Sequence, residues 1–271
     1  MADPDPAYLA LATAIVRRAG EIQIARRVSG FRVDKKGAID LVTEVDIECE
    51  RMCRAMVTER FPDHDLLGEE FGGRAAGAQP SRYRWVLDPL DGTTNYAHGL
   101  PIFCSSLALE IDGRVEVGAI YDPTRDELFT AERGQGACLN GVPLRVSATT
   151  ALLDSLLVTG FPYDVHVEGT DLVALFGVFL TRVRAVRRLG SAALDLCYVA
   201  AGRFDGFWEQ CLKPWDIAAG SLIVEEAGGC LSGMDGSPFG LEAGQLVASN
   251  GAIHDQLLAV IAAFRAGRPS D

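Results

Sequence analysis

The chain has 271 residues, 48% hydrophobic and 23% charged, an ordinary globular balance that suits one large domain or two sharing a cleft. Its net charge of −12 repels nucleic-acid phosphate and anionic lipid, which excludes bulk electrostatic binding to either. No run approaches the ~18 apolar residues of a membrane span.

Residues 1–5 are acidic and lack the basic-then-apolar layout of a secretion signal. The 7 cysteines are scattered and unpaired in spacing, which suits small core residues in a reducing cytoplasm. Leu9, Ala12, Val16, Ala19 and Ile22 or Gln23 follow helical spacing and predict a helix over 7–27. A basic stretch with Lys35, Lys36 and Gly37 follows. Thr43 with Asp46 three residues on reads as a helix cap, and Pro62 ends that helix near Arg60. Leu66-Leu67-Gly68-Glu69-Glu70 is a short apolar run closed by two acids, and 71–82 reads as a mobile surface loop.

A buried strand is expected at 83–87, closing on Asp88. Between 102 and 146, strand-like runs are broken by Asp112-Gly113, Asp122-Pro123, Gly134-Gln135-Gly136 and Asn140-Gly141, which predicts an antiparallel meander. Strands are then expected at 155–159, 183–188, 204–208 and 245–249. Helices are expected near 169–180, 191–201, 215–227 and 253–264. The expected fold is mixed α and β in one unit of 271 residues, with subdomains 1–148 and 149–271.

The chemistry concentrates in Trp85-Val86-Leu87-Asp88-Pro89-Leu90-Asp91-Gly92-Thr93-Thr94-Asn95. Two carboxylates at a strand end, with a carbonyl between them, are hard oxygen ligands suited to Mg²⁺. The amides of Gly92, Thr93 and Thr94 would form an anion-binding helix start. Taken alone, the segment also reads as a surface Pro-x-Asp-Gly turn. Asp216 and Asp46 equally read as acids that favour a helix N-terminus. If the acids converge, each pair ~4 Å apart repels by about 4 kcal/mol at an effective dielectric of 20, so the group would need cations. His64, His98, His166 and His254 lie outside the acidic strings and read as exposed or core residues.

These strings, with Gly68-Glu69-Glu70, Asp40-Leu41-Val42-Thr43, Gly190-Ser191-Ala192-Ala193 and Trp215-Asp216-Ile217-Ala218-Ala219-Gly220, occur in the order found in one family. The chain resembles the inositol monophosphatases, bacterial branch, of the lithium-sensitive, magnesium-dependent phosphatases. The resemblance implies a layered αβαβα sandwich, a homodimer, and two to three Mg²⁺ per site. It implies that Glu69, Asp88 and the Leu90 carbonyl hold one ion, that Asp88, Asp91 and Asp216 hold a second, and that a weaker third sits near Glu69. Thr93 and Asp46 would orient the attacking water. Gly92, Thr93 and Thr94 would hold phosphate. Gly190, Ala192 and Glu209 would face substrate hydroxyls together with Asp216, and Lys35 matches a basic position near the metals.

The reaction expected is hydrolysis of inositol-1-phosphate by metal-activated water. Phe161 after Gly160 departs from relatives with a small polar residue there, which leaves the substrate open. Fructose-1,6-bisphosphate, histidinol phosphate and adenosine 3′,5′-bisphosphate are the alternatives within the superfamily. A regulatory association with the transcription machinery is an alternative of another class. A Ca²⁺-binding structural role ranks last, because the Asp-x-x-Asp-Gly spacing does not match an EF-hand loop.

Overall fold

The computed structural model describes residues 5–35, 41–73 and 80–267. Lys36, Gly37 and Asp40, and residues 74–79 of the 71–82 loop, lie outside the described residues, as does the side chain of Lys35. Helix α1 (Pro6–Ser29) starts where the Asp5 carboxylate accepts from the Ala7 N–H at 2.9 Å and Pro6 has no N–H to satisfy. Strands β1 (Val33–Lys35) and β2 (Leu41–Thr43) pair antiparallel. Helix α2 (Glu44–Arg60) opens with the expected reciprocal cap: the Val45 N–H donates to Thr43 Oγ1 at 3.1 Å, and the Thr43 N–H donates to Asp46 at 2.8 Å.

A 7-stranded sheet follows. Strand β3 (Asp65–Gly68) is parallel to β4 (Tyr83–Asp91). After the short α3 (Thr93–Ala97), an antiparallel meander runs through β5 (Cys104–Ile111), β6 (Arg114–Asp122), β7 (Glu127–Glu132), β8 (Gly136–Leu139) and β9 (Val142–Pro143). Asp112-Gly113 and Asn140-Gly141 take left-handed φ at both positions, 54° and 78° in the first and 49° and 78° in the second, the geometry such dipeptides give a two-residue hairpin.

The remaining elements are β10 (Leu156–Thr159), α4 (Val165–Glu168), α5 (Thr170–Leu180), β11 (Ala185–Arg187), α6 (Ala192–Ala200), β12 (Gly206–Gln210), α7 (Pro214–Glu226), β13 (Cys230–Ser232), β14 (Gln245–Ser249) and α8 (His254–Ala266). The 5 strands form a mixed sheet in the order β11-β10-β12-β14-β13. The strand expected at 83–87 runs on through Asp91, because a bulge lets pairing with β5 resume beyond Pro89. The strand expected at 204–208 lies at 206–210, because the Phe204 N–H still bonds back to Tyr198 at the close of α6. The strand expected at 183–188 shortens to 185–187, and the edge strand β13 was not foreseen.

The cores define five layers. Trp85, Leu87, Leu107 and Val117 pack on Ala12, Ile15 and Val16 of α1 and Cys53 and Val57 of α2. Alternate residues of the same strands, Val86, Ala108 and Ile120, face α6 and α7. Those two helices also meet Val158, Phe207 and Ala248 of the second sheet. The far face of that sheet, Leu157, Trp208 and Val247, packs on α5 and α8 through Leu175, Phe179 and Leu257. The order is therefore helix, sheet, helix, sheet, helix, and the shared helices are buried all round.

Helix α7 seats on β6 at Gly118, where a β-carbon would stand 3.0 Å from the Ala219 carbonyl oxygen and 3.1 Å from its Cα. Both neighbours are backbone and cannot yield. Gly118→Val is expected to lower the unfolding free energy by about 1–3 kcal/mol, read from urea titration. An unchanged midpoint would mean that α7 does not seat on β6 this closely.

Candidate active site

In β4 the pairing with β5 runs Asp88 to Ser106 and then Asp91 to Cys104, so three steps on one strand match two on the other. In an unbroken strand residues three apart face opposite sides. The extra residue cancels that alternation, and both Asp88 and Asp91 line one cleft. Pro89 sits in the bulge, where its lack of an N–H costs no ladder bond. Its carbonyl accepts from Gln23 Nε2 of α1 at 2.9 Å, and Asp88 Oδ1 accepts from the Leu90 N–H at 3.0 Å.

Asp91 Oδ2 accepts from Ser191 Oγ and from the Ala193 N–H, both at 2.7 Å, at the start of α6. Asn95 Nδ2 donates to the carbonyls of Ile102 at 2.9 Å and Leu189 at 2.8 Å. One motif therefore fixes the segment 189–193 against β4. Gly92 bridges to α3 with φ 90°, and a β-carbon there would stand 2.8 Å from the Ile102 carbonyl oxygen, so only glycine fits. The amides at the start of α3 have no intrahelical acceptor.

Asp216 lies in the first turn of α7 and accepts from the Lys213 N–H at 2.7 Å. Glu209 is on β12, and its carboxyl group fills the space above Gly160, where a β-carbon would stand 2.1 Å from Oε2. Glu69 follows the end of β3.

These groups line a cleft of 720 Å³ between the two sheets' ends. Of the residues expected from sequence, Glu69, Asp88, Leu90, Asp91, Gly92, Thr93, Thr94, Gly190, Ala192, Glu209 and Asp216 all line it. Asp46 lies one layer behind. It is 1% exposed and reaches the cleft through Thr93, whose Oγ1 donates to Asp46 at 3.0 Å or to the Leu90 carbonyl at 2.9 Å. Lys35 ends β1, and nothing further is described of it.

The cleft also holds residues that sequence reasoning did not select: Arg188, Ser191, Asp195, Lys213 and Trp215. Asp195 is the most unusual, since it is 1% exposed and neither carboxyl oxygen has a hydrogen-bond partner among the described residues. The signal for it was an acid inside the otherwise apolar run Ala192-Ala193-Leu194-Asp195-Leu196-Cys197. His98 is exposed at the cleft, while His254 is buried between Ser232 and Ser249, and His64 accepts from Trp85 Nε1 at 3.1 Å.

The profile described as the inositol monophosphatase family matches residues 6–265. The chain belongs to the inositol monophosphatase family. It is 45% identical over 258 residues to a Synechocystis protein named inositol-1-monophosphatase, covering 94% of this chain and 89% of that one. It is 44% identical over 257 residues to a Pseudomonas aeruginosa protein named Nus factor SuhB, covering 93% and 95%. Among solved structures, the inositol monophosphatase from Anabaena superposes with a TM-score of 0.85 at 41% identity, covering 95% of this chain and 96% of that one.

The electrostatics of this family member fit a cation. Burial, then the charges of Glu69, Asp91 and Asp216, hold Asp88 well above the ordinary carboxylate range. Burial pushes Asp91 up to about 6, against the bonds from Ser191 and Ala193. Burial, with Asp91 and Glu69 adding, pushes Asp216 up to about 8 against the Lys213 N–H bond. Glu209 also rises to about 8, from burial and then the Asp216 charge. No three His, Cys, Asp or Glu side chains among the described residues close a ready-made cage. The carboxylate oxygens in the cleft are hard donors of the kind Mg²⁺ takes together with waters and substrate phosphate. The donors are hard oxygens, and the bonds to Asp88, Asp91 and Asp216 above each engage one carboxylate oxygen.

These raised groups make the metal-free folded form bind protons more tightly than the unfolded chain. Their stabilisation is fully present below about pH 4 and is lost as pH rises through about 6 for Asp91 and about 8 for Asp216 and Glu209. In EDTA, the thermal midpoint is therefore expected to fall from about pH 5 to about pH 8, and excess Mg²⁺ should flatten that fall. A midpoint in EDTA that is level across the range would contradict this electrostatic arrangement.

Proposed function

We propose that this chain is a magnesium-dependent phosphatase that hydrolyses inositol monophosphate to inositol and phosphate. The observation that carries the reading is the convergence of Glu69, Asp88, Asp91 and Asp216 beside the Gly92–Thr94 helix start in one cleft. Glu69, Asp88 and the Leu90 carbonyl would hold one Mg²⁺, Asp88, Asp91 and Asp216 a second, and a third would sit near Glu69. Bound Mg²⁺ supplies a Lewis acid for phosphoryl oxygens and lowers the pKa of water.

The chain's own groups do the rest. The amides of Gly92, Thr93 and Thr94 receive phosphate oxygens. Thr93 donates its hydroxyl proton to Asp46, which leaves its oxygen lone pairs to accept from a water and aim it in line with the phosphorus. Asp46 acts on that water only through Thr93. Gly190, Ala192, Glu209 and Asp216 face the polyol, with Glu209 seated over Gly160 to bond its hydroxyls. Lys35 stays a candidate for the basic position near the metals. The two halves, 1–148 and 149–271, act as one catalytic unit, because Glu69, Asp88 and Asp91 come from the first and Glu209 and Asp216 from the second.

Asp91→Asn is expected to remove nearly all phosphate release from inositol-1-phosphate. EDTA or millimolar Li⁺ should suppress the parent. Circular dichroism of the variant should stay close to the parent's. Retained activity in the variant would defeat the assignment. Faster turnover of fructose-1,6-bisphosphate, histidinol phosphate or adenosine 3′,5′-bisphosphate would keep the mechanism and change the substrate.

Three further readings belong to the same proposal. After the exposed Asp171 in its first turn, the outward positions of α5 are Val173, Ala174, Gly177 and Leu180, with Val173 and Leu180 56% and 51% exposed. Such a face supports a homodimer. Sedimentation should give twice the chain mass, with Leu180→Glu shifting it toward the monomer, whereas a monomeric parent would end that reading. All 7 cysteines are free, which supports a cytoplasmic location. The name of the P. aeruginosa relative favours a second, regulatory role with the transcription machinery. Retention of the complete acidic set favours catalysis as the first. Capture of RNA polymerase subunits from native lysate would support the second role, and their absence would count against it.

A further inference from the structure

We propose that Glu50 and Arg54 are positioning residues that hold the turn bearing Glu69 in register with the rest of the cleft. This rests on the reading of Glu69 as a cation ligand.

Asp46, Glu50 and Arg54 stand at i, i+4 and i+8 on α2 and so share one face. Asp46 meets Thr93. One turn further on, Glu50 meets the Glu69 turn. Its carboxylate is 0% exposed. Oε2 accepts from the Glu70 N–H at 2.8 Å, and Oε1 accepts from the Phe71 N–H at 3.1 Å. Oε1 also accepts from Arg54 Nε at 2.9 Å and Nη2 at 2.7 Å. On the other side of Glu69, Gly68 lies flat against the same carboxylate, where a β-carbon would stand 2.2 Å from Oε1.

Arg54 extends the clamp. Its Nη2 donates to the Gly72 carbonyl, which also accepts from the Gly68 N–H at 3.1 Å. Its guanidinium lies 5.8 Å from the Phe71 ring. Of the two neighbours of Glu69 in the chain, Glu70 is therefore hydrogen-bonded to this carboxylate and Gly68 packed against it, and the turn is closed by that carboxylate's partner.

This expenditure is out of proportion to a stability role. The turn packs little, with Phe71 46% exposed. A buried ion pair is a weak source of stability, because desolvation offsets most of its attraction. What it supplies is a fixed backbone on each side of Glu69, and a ligand displaced by a fraction of an ångström loses its cation. The same helix sets Thr93 through Asp46, so α2 fixes the water-orienting hydroxyl and the Glu69 carboxylate relative to one another.

The test is Mn²⁺ binding to the full chain without substrate, followed by electron paramagnetic resonance, in the parent, Glu69→Gln, Glu50→Gln and Arg54→Lys. Near-ultraviolet circular dichroism checks each fold. Glu50→Gln keeps the shape but cannot accept from both N–H groups and the guanidinium. It is expected to bind Mn²⁺ roughly 10–100-fold more weakly while folded. Arg54→Lys, which keeps the charge and loses the fork, is expected to lose about tenfold. Saturating Mg²⁺ should restore kcat in both but not in Glu69→Gln. If Glu50→Gln does not fold, Arg54→Lys decides, since that side chain is partly exposed. Binding within about twofold of the parent in the folded variants, with loss in Glu69→Gln, overturns the proposal. Parent-like binding by Glu69→Gln overturns the ligand reading beneath it.

Discussion

Asp88 and Asp91 are three residues apart, and a regular strand would send one into the first sheet's outer helices and the other toward the second sheet. One extra residue in β4 prevents this. The bulge is held from three sides: Pro89 has no N–H to leave stranded, Gln23 of α1 bonds its carbonyl, and the Leu90 amide bonds back to Asp88. Leu90 itself turns into a small core with Val45, Tyr96 and Phe103. Every other part of the site is arranged around this point. β3 places Glu69 beside it, α2 places Asp46 behind it, and α6 and α7 close it from the second sheet.

Asp91 serves two demands at once. As a hydrogen-bond acceptor for Ser191 and the Ala193 amide it ties the first sheet to the start of α6. As one of several acids that raise one another's proton affinity, it stores repulsion that a divalent cation relieves. The carboxylates of Asp88, Asp91 and Asp216 are thus each held by protein donors, and under the proposed metal reading that is the preorganisation metal-assisted hydrolysis needs. In a chain with net charge −12, bound cations in this cleft would invert the local sign that otherwise repels a phosphate ester.

The part of the cleft around Glu209 is built differently. Glu209 presents its carboxyl group through the gap left by Gly160, and Phe161 and Tyr163 line the same rim. Arg188 adds a positive charge near Glu209 and Asp195, lowering the proton affinity of both. The aromatic rim and this guanidinium are what distinguish the pocket from a purely acidic metal cleft.

Much was legible in the chain because it depends on local chemistry. Thr43 with Asp46 specified a cap, Asp112-Gly113 and Asn140-Gly141 specified hairpins, and the β-branched and apolar periods placed most helices and strands within two or three residues. The acidic strings named Glu69, Asp88, Asp91 and Asp216, which all line the cleft, since ligand chemistry resides in residue type and spacing; they did not name Arg188, Asp195 or Lys213. Convergence was not legible. Spacing alone cannot say that a bulge puts Asp88 and Asp91 on one face, that Asp46 sits behind Thr93, or that Glu50 carries the turn of Glu69. Those facts depend on register and on contacts between residues 20 to 100 positions apart, such as Glu50 with Glu70 and Asp91 with Ser191. The sequence by itself determined the elements and the donor atoms; the packing of two sheets on shared helices decided which donors meet, because only a closed core fixes distances between distant parts of a chain.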